Sequence, residues 1–315
     1  MIDSKQIEPL IKSNQIQLFK ILADVASGIE QLDYECFYEI LRLRKKLSIK
    51  TLKNTGIAEV VENVFSSGNA YKFVQILTEH ELLELVFPGV NALLTVDGGH
   101  YHNELVYTHV MGALRALDKN PRLPWFVKLA ALYHDVGKYT WEISDEGKRR
   151  FMNHAQKGAV ITERDMTRLG ISKDITGYLV TLVGMHMQQL DKGHSMRKLN
   201  RVFSEAKLDP KYFFWVRYAD NKGSAVYKTD FMFYWNLYKK FKKSIKVIPK
   251  PSVKDLCING HDLMKKFERG PGKWLGAVLA YLFKGVQERG YLNEKEYLLV
   301  EAEKFISWYD GGVLS

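Results

Sequence analysis

Apolar residues recur at steps of three and four along most of this 315-residue chain, and this period constrains the fold more than any other feature. Clear cases lie at residues 16–25, 37–43 and 60–64, where the pattern places apolar side chains on one face of an α-helix. Strand signals are few. The best is residues 141–151, in which Asp-Glu-Gly at 145–147 suits the turn of a short hairpin. We therefore predict an all-α protein with at most one small β-hairpin.

Turn-forming residues divide the chain into three predicted regions. We expect an N-terminal helical region at residues 1–95, a central domain at 96–245 and a C-terminal helical region at 246–315. The first boundary lies between a Phe-Pro-Gly and an Asp-Gly-Gly sequence. The second lies within a basic segment, residues 239–251, that ends with two prolines.

The charge of the chain favours a phosphate-rich partner. Lys and Arg outnumber Asp and Glu by 46 to 36, which gives a net charge of +10. A basic surface suits RNA, although a basic protein without such a partner carries the same charge. Hydrophobic residues make up 46% of the sequence, which is ample for a buried core.

Cysteine usage and hydropathy predict a cytoplasmic protein. Cys36 and Cys257 are far apart and form no CxxC pair, which argues against a disulfide framework or a cysteine-based zinc site. The first fifteen residues lack the basic-then-apolar pattern of a signal peptide. No apolar run approaches the ~18 residues that span a bilayer, so we expect no membrane partner.

Six histidines and aspartates in the central region each fall on or beside a helical pattern. They are His109, His134, Asp135, His154, His186 and Asp220. Singly, each histidine is more commonly a core or surface residue, and an isolated His-Asp pair is usually a helix-end ion pair. Helices side by side in a bundle can point all six inward. Imidazole and carboxylate suit Mn, Fe, Co, Ni, Zn or Mg, so we predict one or two divalent metal ions of unknown identity.

The His-Asp pair follows a helix that we predict at residues 125–133, with Gly137 as its stop. Adjacent helical residues diverge by about 100°, yet both can reach an ion between their directions. The remaining histidines have no such companions and are expected at the surface. These are His80, His100, His194 and His261.

Such a ligand set suits hydrolysis of a phosphate ester. One ion held by residues 134–135 with His109 and Asp220 polarises a phosphoryl oxygen and lowers the pKa of a water toward ~7. A second ion could lie at His154 and His186, with Asp135 as the bridge. If only one ion binds, these two histidines would contact phosphate or protonate the leaving oxygen. The residues predicted to act in catalysis are His134, Asp135, Lys138, His154 and His186.

Five residues, Lys138 among them, are candidate substrate contacts. Lys138 lies one turn after the Asp135 carboxylate and could neutralise a phosphate, although the same position in the sequence also suits an ordinary surface lysine. Arg149 and Arg150 precede His154 but could equally be exposed hairpin residues. Arg217, three residues before Asp220, is either a phosphate contact or a structural ion-pair partner. His102 precedes His109 by two helical turns.

Residues 212–243 are rich in aromatics and lysines, which admits two interpretations. Aromatic rings can stack on unpaired bases while lysines contact phosphates, or the segment is a helical core with a basic outer face. We favour core positions for the aromatic residues beside Asp220, namely Phe213, Phe214, Trp215 and Tyr218. The predicted RNA-backbone contacts are Lys239, Lys240, Lys242 and Lys243.

The motifs HDVGK, NHAQKGA and GMHM, which begin at residues 134, 153 and 184, resemble those of HD-domain phosphohydrolases. They are closer still to the HD domain of bacterial CCA-adding enzymes, in the tRNA nucleotidyltransferase and poly(A) polymerase family. Residues 69–90 and the segment beginning VKDLCINGHD at 253 resemble the parts on either side of that domain. The resemblance covers about the last 250 residues and makes 96–245 the HD phosphohydrolase domain.

The same family begins with a nucleotidyltransferase head that carries a Gly-rich turn and a DxD carboxylate pair. Residues 1–70 contain neither, so we expect this chain not to add CCA. The resemblance implies instead hydrolysis of 2′,3′-cyclic phosphates, 2′-nucleotides or phosphomonoesters. The predicted substrate is a free nucleotide or an RNA end, with tRNA a further candidate partner.

Two alternatives to this function stay open. One is another HD enzyme, a 5′-nucleotidase or a cyclic-nucleotide phosphodiesterase, because the ligands do not select the scissile bond. The other is a tRNA- or RNA-binding module with a vestigial metal site. The complete six-residue ligand set speaks against the second.

Overall fold

Helices dominate the computed structural model, which describes residues 2–48, 55–98, 105–143, 149–189, 193–224, 229–247, 252–289 and 291–311. The predicted all-α class is confirmed. In the described chain, two short strands, β1 (Glu142–Ile143) and β2 (Arg149–Arg150), pair antiparallel and confirm the hairpin. The turn that we predicted at 145–147 lies outside the described residues.

The N-terminal part consists of seven α-helices within the described residues. They are α1 (Ser4–Ser13), α2 (Gln15–Ala26), α3 (Tyr34–Leu43), α4 (Ile57–Ser67), α5 (Ala70–Glu79), α6 (Leu83–Val86) and α7 (Pro88–Asn91). Polar residues fix three of the starts: the side chains of Asp3, Asn14 and Asp33 accept hydrogen bonds from the first backbone N–H groups of α1, α2 and α3.

The central helices carry the candidate site. They are α8 (Val106–Asp118), α9 (Trp125–Tyr133), α10 (His154–Leu169), α11 (Lys173–Met185), α12 (Gly193–Glu205) and α13 (Lys211–Gly223). The helix predicted at 125–133 is α9, buried from its second residue to its last. Because α9 packs against α8, α11 and α13, its C-terminus lies among the other ligand-bearing helices.

The chain continues through four more α-helices, α14 (Phe231–Val247), α15 (Gly260–Phe267), α16 (Lys273–Lys284) and α17 (Lys295–Gly311). Short 3₁₀ turns lie at Arg44–Lys46, Ala92–Thr95, Val136–Thr140 and Val253–Asp255, and a π turn at Gly285–Arg289. No helix in the described ranges is long and apolar enough to cross a membrane.

Contacts divide the chain into two compact units, Met1–Met187 with Ala206–Asn236 and Gln188–Glu205 with Leu237–Ser315. The first unit contains α1–α11 and α13, and with them the candidate site. The second has its own apolar core, which includes Leu263, Trp274, Val278, Leu282 and Leu298. This division into two units does not test the three regions that we predicted from the sequence. Those three regions therefore stay a prediction.

Two glycine positions bring the ligand-bearing elements together. A Cβ on Gly137 would collide with the His154 carbonyl and lie 2.7 Å from the Gly158 nitrogen, so only glycine lets the 136–140 turn pack on α10. A Cβ on Gly223 would lie 2.5 Å from the His109 carbonyl, which lets α13 approach α8. Gly137 is therefore not the predicted helix stop; α9 ends earlier, at Tyr133.

His80 is buried, with only 5% of its surface exposed, which corrects its predicted surface position. It lies just after α5, where its Nδ1 hydrogen-bonds the Ile76 carbonyl at 2.8 Å and its ring meets Phe37 edge-on. His261 is exposed, as expected. His100 and the side chain of His194 lie outside the described residues.

Candidate metal centre

The structure brings the six predicted ligands together in two groups of three. The first group is His109, His134 and Asp220, and the second is Asp135, His154 and His186. Within each group the donor atoms all lie within 4.8 Å of one another. His109, His134, Asp135 and His186 are buried, whereas 26% of the Asp220 side chain is exposed. Helices separated by more than 100 residues of chain thus converge on one point.

The first group is compact enough to surround one cation. His109 Nε2 lies 3.1 Å from His134 Nε2. The Asp220 Oδ1 atom lies 3.3 Å from the former and 3.5 Å from the latter. His109 comes from α8, His134 directly follows α9 and Asp220 comes from α13, so this triangle depends on the packing of three helices.

The second group shares a carboxylate with the first. Asp135 Oδ1 lies 3.3 Å from His154 Nε2 and 3.6 Å from His186 Nε2, and these two nitrogens are 3.2 Å apart. Asp135 Oδ2 faces the other way, 3.5 Å from His109 Nε2 and 3.4 Å from His134 Nε2. One oxygen of Asp135 therefore faces each group, which is the arrangement of a bridging carboxylate.

Backbone carbonyls orient three of the four imidazole rings. The Nδ1 atoms of His134, His154 and His186 each lie 2.7–3.0 Å from the carbonyl oxygen of the residue three positions earlier. Since Nδ1 gives its hydrogen to that carbonyl in the neutral ring, the Nε2 lone pair points into the centre. Two of these carbonyls also accept a backbone N–H from the same histidine, Phe151 from His154 at 3.3 Å and Val183 from His186 at 3.4 Å.

The donor set and its spacing fit divalent metal ions. Two ligand atoms about 2.1 Å from one ion, at tetrahedral or octahedral angles, lie about 3.0–3.4 Å apart. The spacings within the two groups run from 3.1 to 3.6 Å. Imidazole lone pairs that face each other at such distances repel unless a proton or cation lies between them. Nitrogen and carboxylate ligands together suit Mn, Fe, Co, Ni or Zn, without selecting one.

The charges of the six residues favour a cation at this site. Burial lowers the pKa of His134, but the Asp135 and Asp220 carboxylates outweigh it and raise that pKa to about 10. Burial raises the pKa of Asp135, but Lys138 and His134 hold it well below its usual range. His186 shows the opposite balance, because burial dominates and lowers its pKa. The two carboxylates therefore stay ionised and attract a cation.

A cavity of about 410 Å³ opens beside this centre. Four of the ligands lie on its wall, namely Asp135, His154, His186 and Asp220, whereas His109 and His134 lie behind them. Two cationic residues, Lys138 and Arg217, also line it. The rest of the described lining combines apolar and neutral polar groups: Gly98, Phe151, Met187, Asn221, Ser224 and Tyr234.

Two of the five predicted substrate contacts, Lys138 and Arg217, lie on the wall of the cavity. Lys138 lines the cavity and lies 2.7 Å from Asp135 Oδ2, with its ammonium 5.5 Å from the centre of the Phe151 ring. Arg217 also lines the cavity; it donates a hydrogen bond of 3.0 Å to the His186 carbonyl and lies 3.5 Å from Asp220 Oδ2.

Of the remaining three, Arg150 alone has a described side chain. The Arg150 side chain is exposed on β2 and is not among the described residues that line the cavity, so the described structure gives no support for the predicted phosphate contact. The Arg149 side chain and His102 lie outside the described residues.

Sequence reasoning missed the neutral wall of the cavity. Asn221 and Ser224 lie one and four residues after Asp220, and Met187 follows His186, so proximity to a ligand was a usable signal. Tyr234 had no such signal, because it lies on α14 within a segment interpreted mainly as core. Phe213 and Phe214 in that segment are indeed buried, and Trp215 and Tyr218 partly so.

Known proteins resemble this chain in its sequence. The family described as tRNA nucleotidyltransferase domain 2 matches residues 232–302. The CC-adding tRNA nucleotidyltransferase of Thermus thermophilus is 25% identical over 259 residues, which cover 81% of this chain and 57% of that protein. The A-adding tRNA nucleotidyltransferase of Deinococcus radiodurans is 28% identical over 150 residues, 46% of this chain and 35% of its own.

A third relative is the multifunctional CCA protein of Tolumonas auensis, 26% identical over 189 residues that cover 58% of this chain and 45% of that protein. The chain is thus homologous to tRNA nucleotidyltransferases. It spans little more than half the length of the Thermus protein and less than half of the other two.

Proposed function

We propose that this chain is a divalent-metal-dependent phosphohydrolase of the HD type, with nucleotide or RNA-end 2′,3′-cyclic phosphates as its main substrates. The observation that carries the proposal is the Asp135 carboxylate, which presents Oδ1 to His154 and His186 and Oδ2 to His109 and His134. A carboxylate between two imidazole groups is suited to hold two ions close together, the arrangement that serves in-line displacement at phosphorus.

The cavity supplies the charge that a phosphate ester needs. Lys138 and Arg217 lie on its wall with the ligand residues and can neutralise the oxygens that do not react. Lys138 is held by Asp135, and Arg217 by the His186 carbonyl, so both cations are fixed before substrate arrives. Groups fixed in advance do not have to reorganise during the reaction, which is why such placement lowers a barrier.

Divalent ions held by these residues would polarise a phosphoryl oxygen and acidify a water molecule at neutral pH. The chain's own contribution is to fix the imidazole rings through Nδ1 and to leave His154 and His186 at the cavity wall. If only one ion binds, these two histidines are the groups placed to contact the phosphate or to protonate the leaving oxygen.

Relatedness to tRNA nucleotidyltransferases supports a nucleotide or RNA end as the substrate class. The net charge of +10 agrees with such a substrate. Within the HD enzymes, a 5′-nucleotidase or a cyclic-nucleotide phosphodiesterase would use the same ligands, and the substrate distinguishes them.

A second candidate function is a tRNA- or RNA-binding module. The match of residues 232–302 to tRNA nucleotidyltransferase domain 2 favours it, as do four exposed lysines on α14. These are Lys239, Lys240, Lys242 and Lys243. RNA binding that survives both His134→Ala and Asp135→Ala, in a protein without hydrolytic activity, would select this function.

A substrate panel tests the main proposal. The purified chain is incubated with 2′,3′-cAMP, 2′-AMP, 5′-AMP or 3′,5′-cAMP, each with Mn, Ni, Co or Mg, or with excess chelator. We expect hydrolysis in the presence of metal, fastest for 2′,3′-cAMP, and none with chelator. Preference for 5′-AMP or 3′,5′-cAMP would select the corresponding alternative, and no hydrolysis of any substrate would reject the phosphohydrolase.

A further inference from the structure

Tyr234 is a largely buried residue on the wall of the cavity. The residue is 8% exposed and lines the cavity beside the metal centre. Its ring meets those of Tyr218 and Phe233 at steep angles, with centroids 6.1 and 5.3 Å away, so its position is set by packing. Within the described ranges, the hydroxyl makes no hydrogen bond to another residue.

A tyrosine on the cavity wall supplies a hydrogen-bond donor that phenylalanine would lack. Water can satisfy this hydroxyl in the free protein, and a ligand that offers an acceptor in the cavity can take the place of that water.

The surroundings of the hydroxyl favour a neutral acceptor. Burial raises the pKa of Tyr234, with Arg217 lowering it and Asp220 raising it less strongly, so the phenol keeps its hydrogen at neutral pH. The nearby wall includes the neutral groups Asn221 and Ser224. Asn221 is held in place because its Oδ1 accepts a 2.6 Å hydrogen bond from the Thr229 nitrogen.

The cavity thus has two chemically distinct parts. Metal ligands and the cations Lys138 and Arg217 suit a phosphate, whereas Tyr234, Asn221 and Ser224 suit the hydroxyl, ether or ring nitrogen groups of a nucleoside. A volume of about 410 Å³ lies within the range of pockets that hold one small molecule.

We propose that Tyr234 donates a hydrogen bond to the nucleoside part of a single nucleotide, free or at an unpaired RNA end, whose phosphate lies at the metal centre. The proposal rests on the phosphohydrolase function proposed above and names the substrate part that Tyr234 reads. Asn221 and Ser224 complete this nucleoside subsite. Simple phosphate esters lack a nucleoside, so this subsite does not strengthen their binding.

The test compares Tyr234→Phe with Tyr218→Phe, which removes a hydroxyl from the neighbouring ring that does not line the cavity. Wild type and each variant are assayed for hydrolysis of 2′,3′-cAMP and of bis(p-nitrophenyl) phosphate in the presence of Mn. For Tyr234→Phe we expect kcat/KM to fall about tenfold on 2′,3′-cAMP, mainly through KM, and to stay unchanged on the simple diester. Tyr218→Phe keeps both activities.

Equal losses on both substrates, or no loss on either, would overturn the proposal. Binding separates it from the failure of the hydrolase. Calorimetry with 2′-AMP and Mn needs no turnover, and we expect Tyr234→Phe to bind about tenfold more weakly than wild type and Tyr218→Phe. If wild type binds 2′-AMP but hydrolyses no substrate, the proposed phosphohydrolase function is wrong. The affinities of wild type and Tyr234→Phe for 2′-AMP then still decide the role of Tyr234. Equal affinity of the variants, or no binding by wild type, overturns that role.

Discussion

The Lys138 ammonium lies 2.7 Å from Asp135 Oδ2, the oxygen that also faces His109 and His134. Both partners are largely buried, and the lysine ammonium also lies near the Phe151 ring at the cavity wall. In the proposed phosphohydrolase, the cation beside the Asp135 carboxylate has two roles. It holds Asp135 in place before metal binds, and it presents positive charge to a substrate phosphate.

The first prediction concerns this lysine. Lys138→Met keeps most of the aliphatic side chain and removes the charge, so we expect metal binding to persist and kcat/KM on 2′,3′-cAMP to fall about 10²-fold. Steady-state kinetics at saturating Mn, with metal content measured on the same samples, checks both statements. As a control, Arg150→Met removes an exposed cation that does not line the cavity and leaves kcat/KM unchanged. Full activity of Lys138→Met would show that the cation serves structure alone.

The second prediction concerns the close approach at Gly137. Gly137→Ala places a Cβ against the His154 carbonyl, so we expect the free energy of unfolding to fall by about 1–3 kcal/mol. Metal affinity falls with it, because His154 and Asp135 are displaced. Gly177→Ala, within α11 and with open space around its Cβ, serves as control and raises stability by up to about 1 kcal/mol. Urea denaturation measures both, and equal stabilities would contradict the packing described.

The third prediction concerns protons released by metal. The carboxylates raise the pKa of His134 to about 10 in the metal-free protein, so this imidazole is protonated at pH 7 to 8. An imidazole that binds a metal must first lose this proton, and binding therefore releases about one proton from His134. Titration calorimetry with Mn at pH 7.5, in buffers of different ionisation enthalpy, measures the number. Metal binding without proton release would contradict the assigned charge of His134.

The fourth prediction concerns His80 and acid stability. Burial lowers its pKa below 6.5, and its Nε2 is buried with no hydrogen-bond partner in the described ranges. Above pH 6.5 His80 is neutral in both the folded and the unfolded protein, so its full contribution to the free energy of unfolding is present. As pH falls below 6.5, the unfolded chain binds the proton first, so stability decreases until the folded-state pKa is passed.

Replacing His80 with leucine therefore makes the loss of unfolding free energy between pH 7 and pH 5 smaller than in wild type. Leucine at the exposed His261 leaves it unchanged. Denaturation curves across this range decide the point, and parallel pH profiles for wild type and His80→Leu would mean that His80 does not titrate as a buried group.

The sequence predicted the helices well because helix formation depends on local patterns. Helix α9 has the bounds that its apolar period indicated, and His134 and Asp135 follow it directly. Their convergence with Asp220 was expected because a bundle places ligands from separate helices at one point. Periodicity fixes which face of a helix is apolar, and the ligands lie on those faces or at their ends.

What the sequence did not provide are features decided by contacts between distant elements. The burial of His80 depends on Phe37, which comes from a different helix. Gly137 carries the pattern of a helix stop, and only the position of α10 reveals that it permits close packing. Tyr234 reaches the cavity because of how α14 lies beside α13, which no local pattern indicates.

The most direct test of the account removes one charge at the carboxylate shared by both ligand groups. Wild type and Asp135→Asn, which has nearly the same shape, are reconstituted with Mn, assayed for bound metal and given 2′,3′-cAMP. The account predicts metal-dependent hydrolysis by wild type, with both metal content and turnover lost in Asp135→Asn while the fold is retained. Unchanged turnover in Asp135→Asn, or a metal-loaded wild type that hydrolyses no phosphate ester, would contradict it.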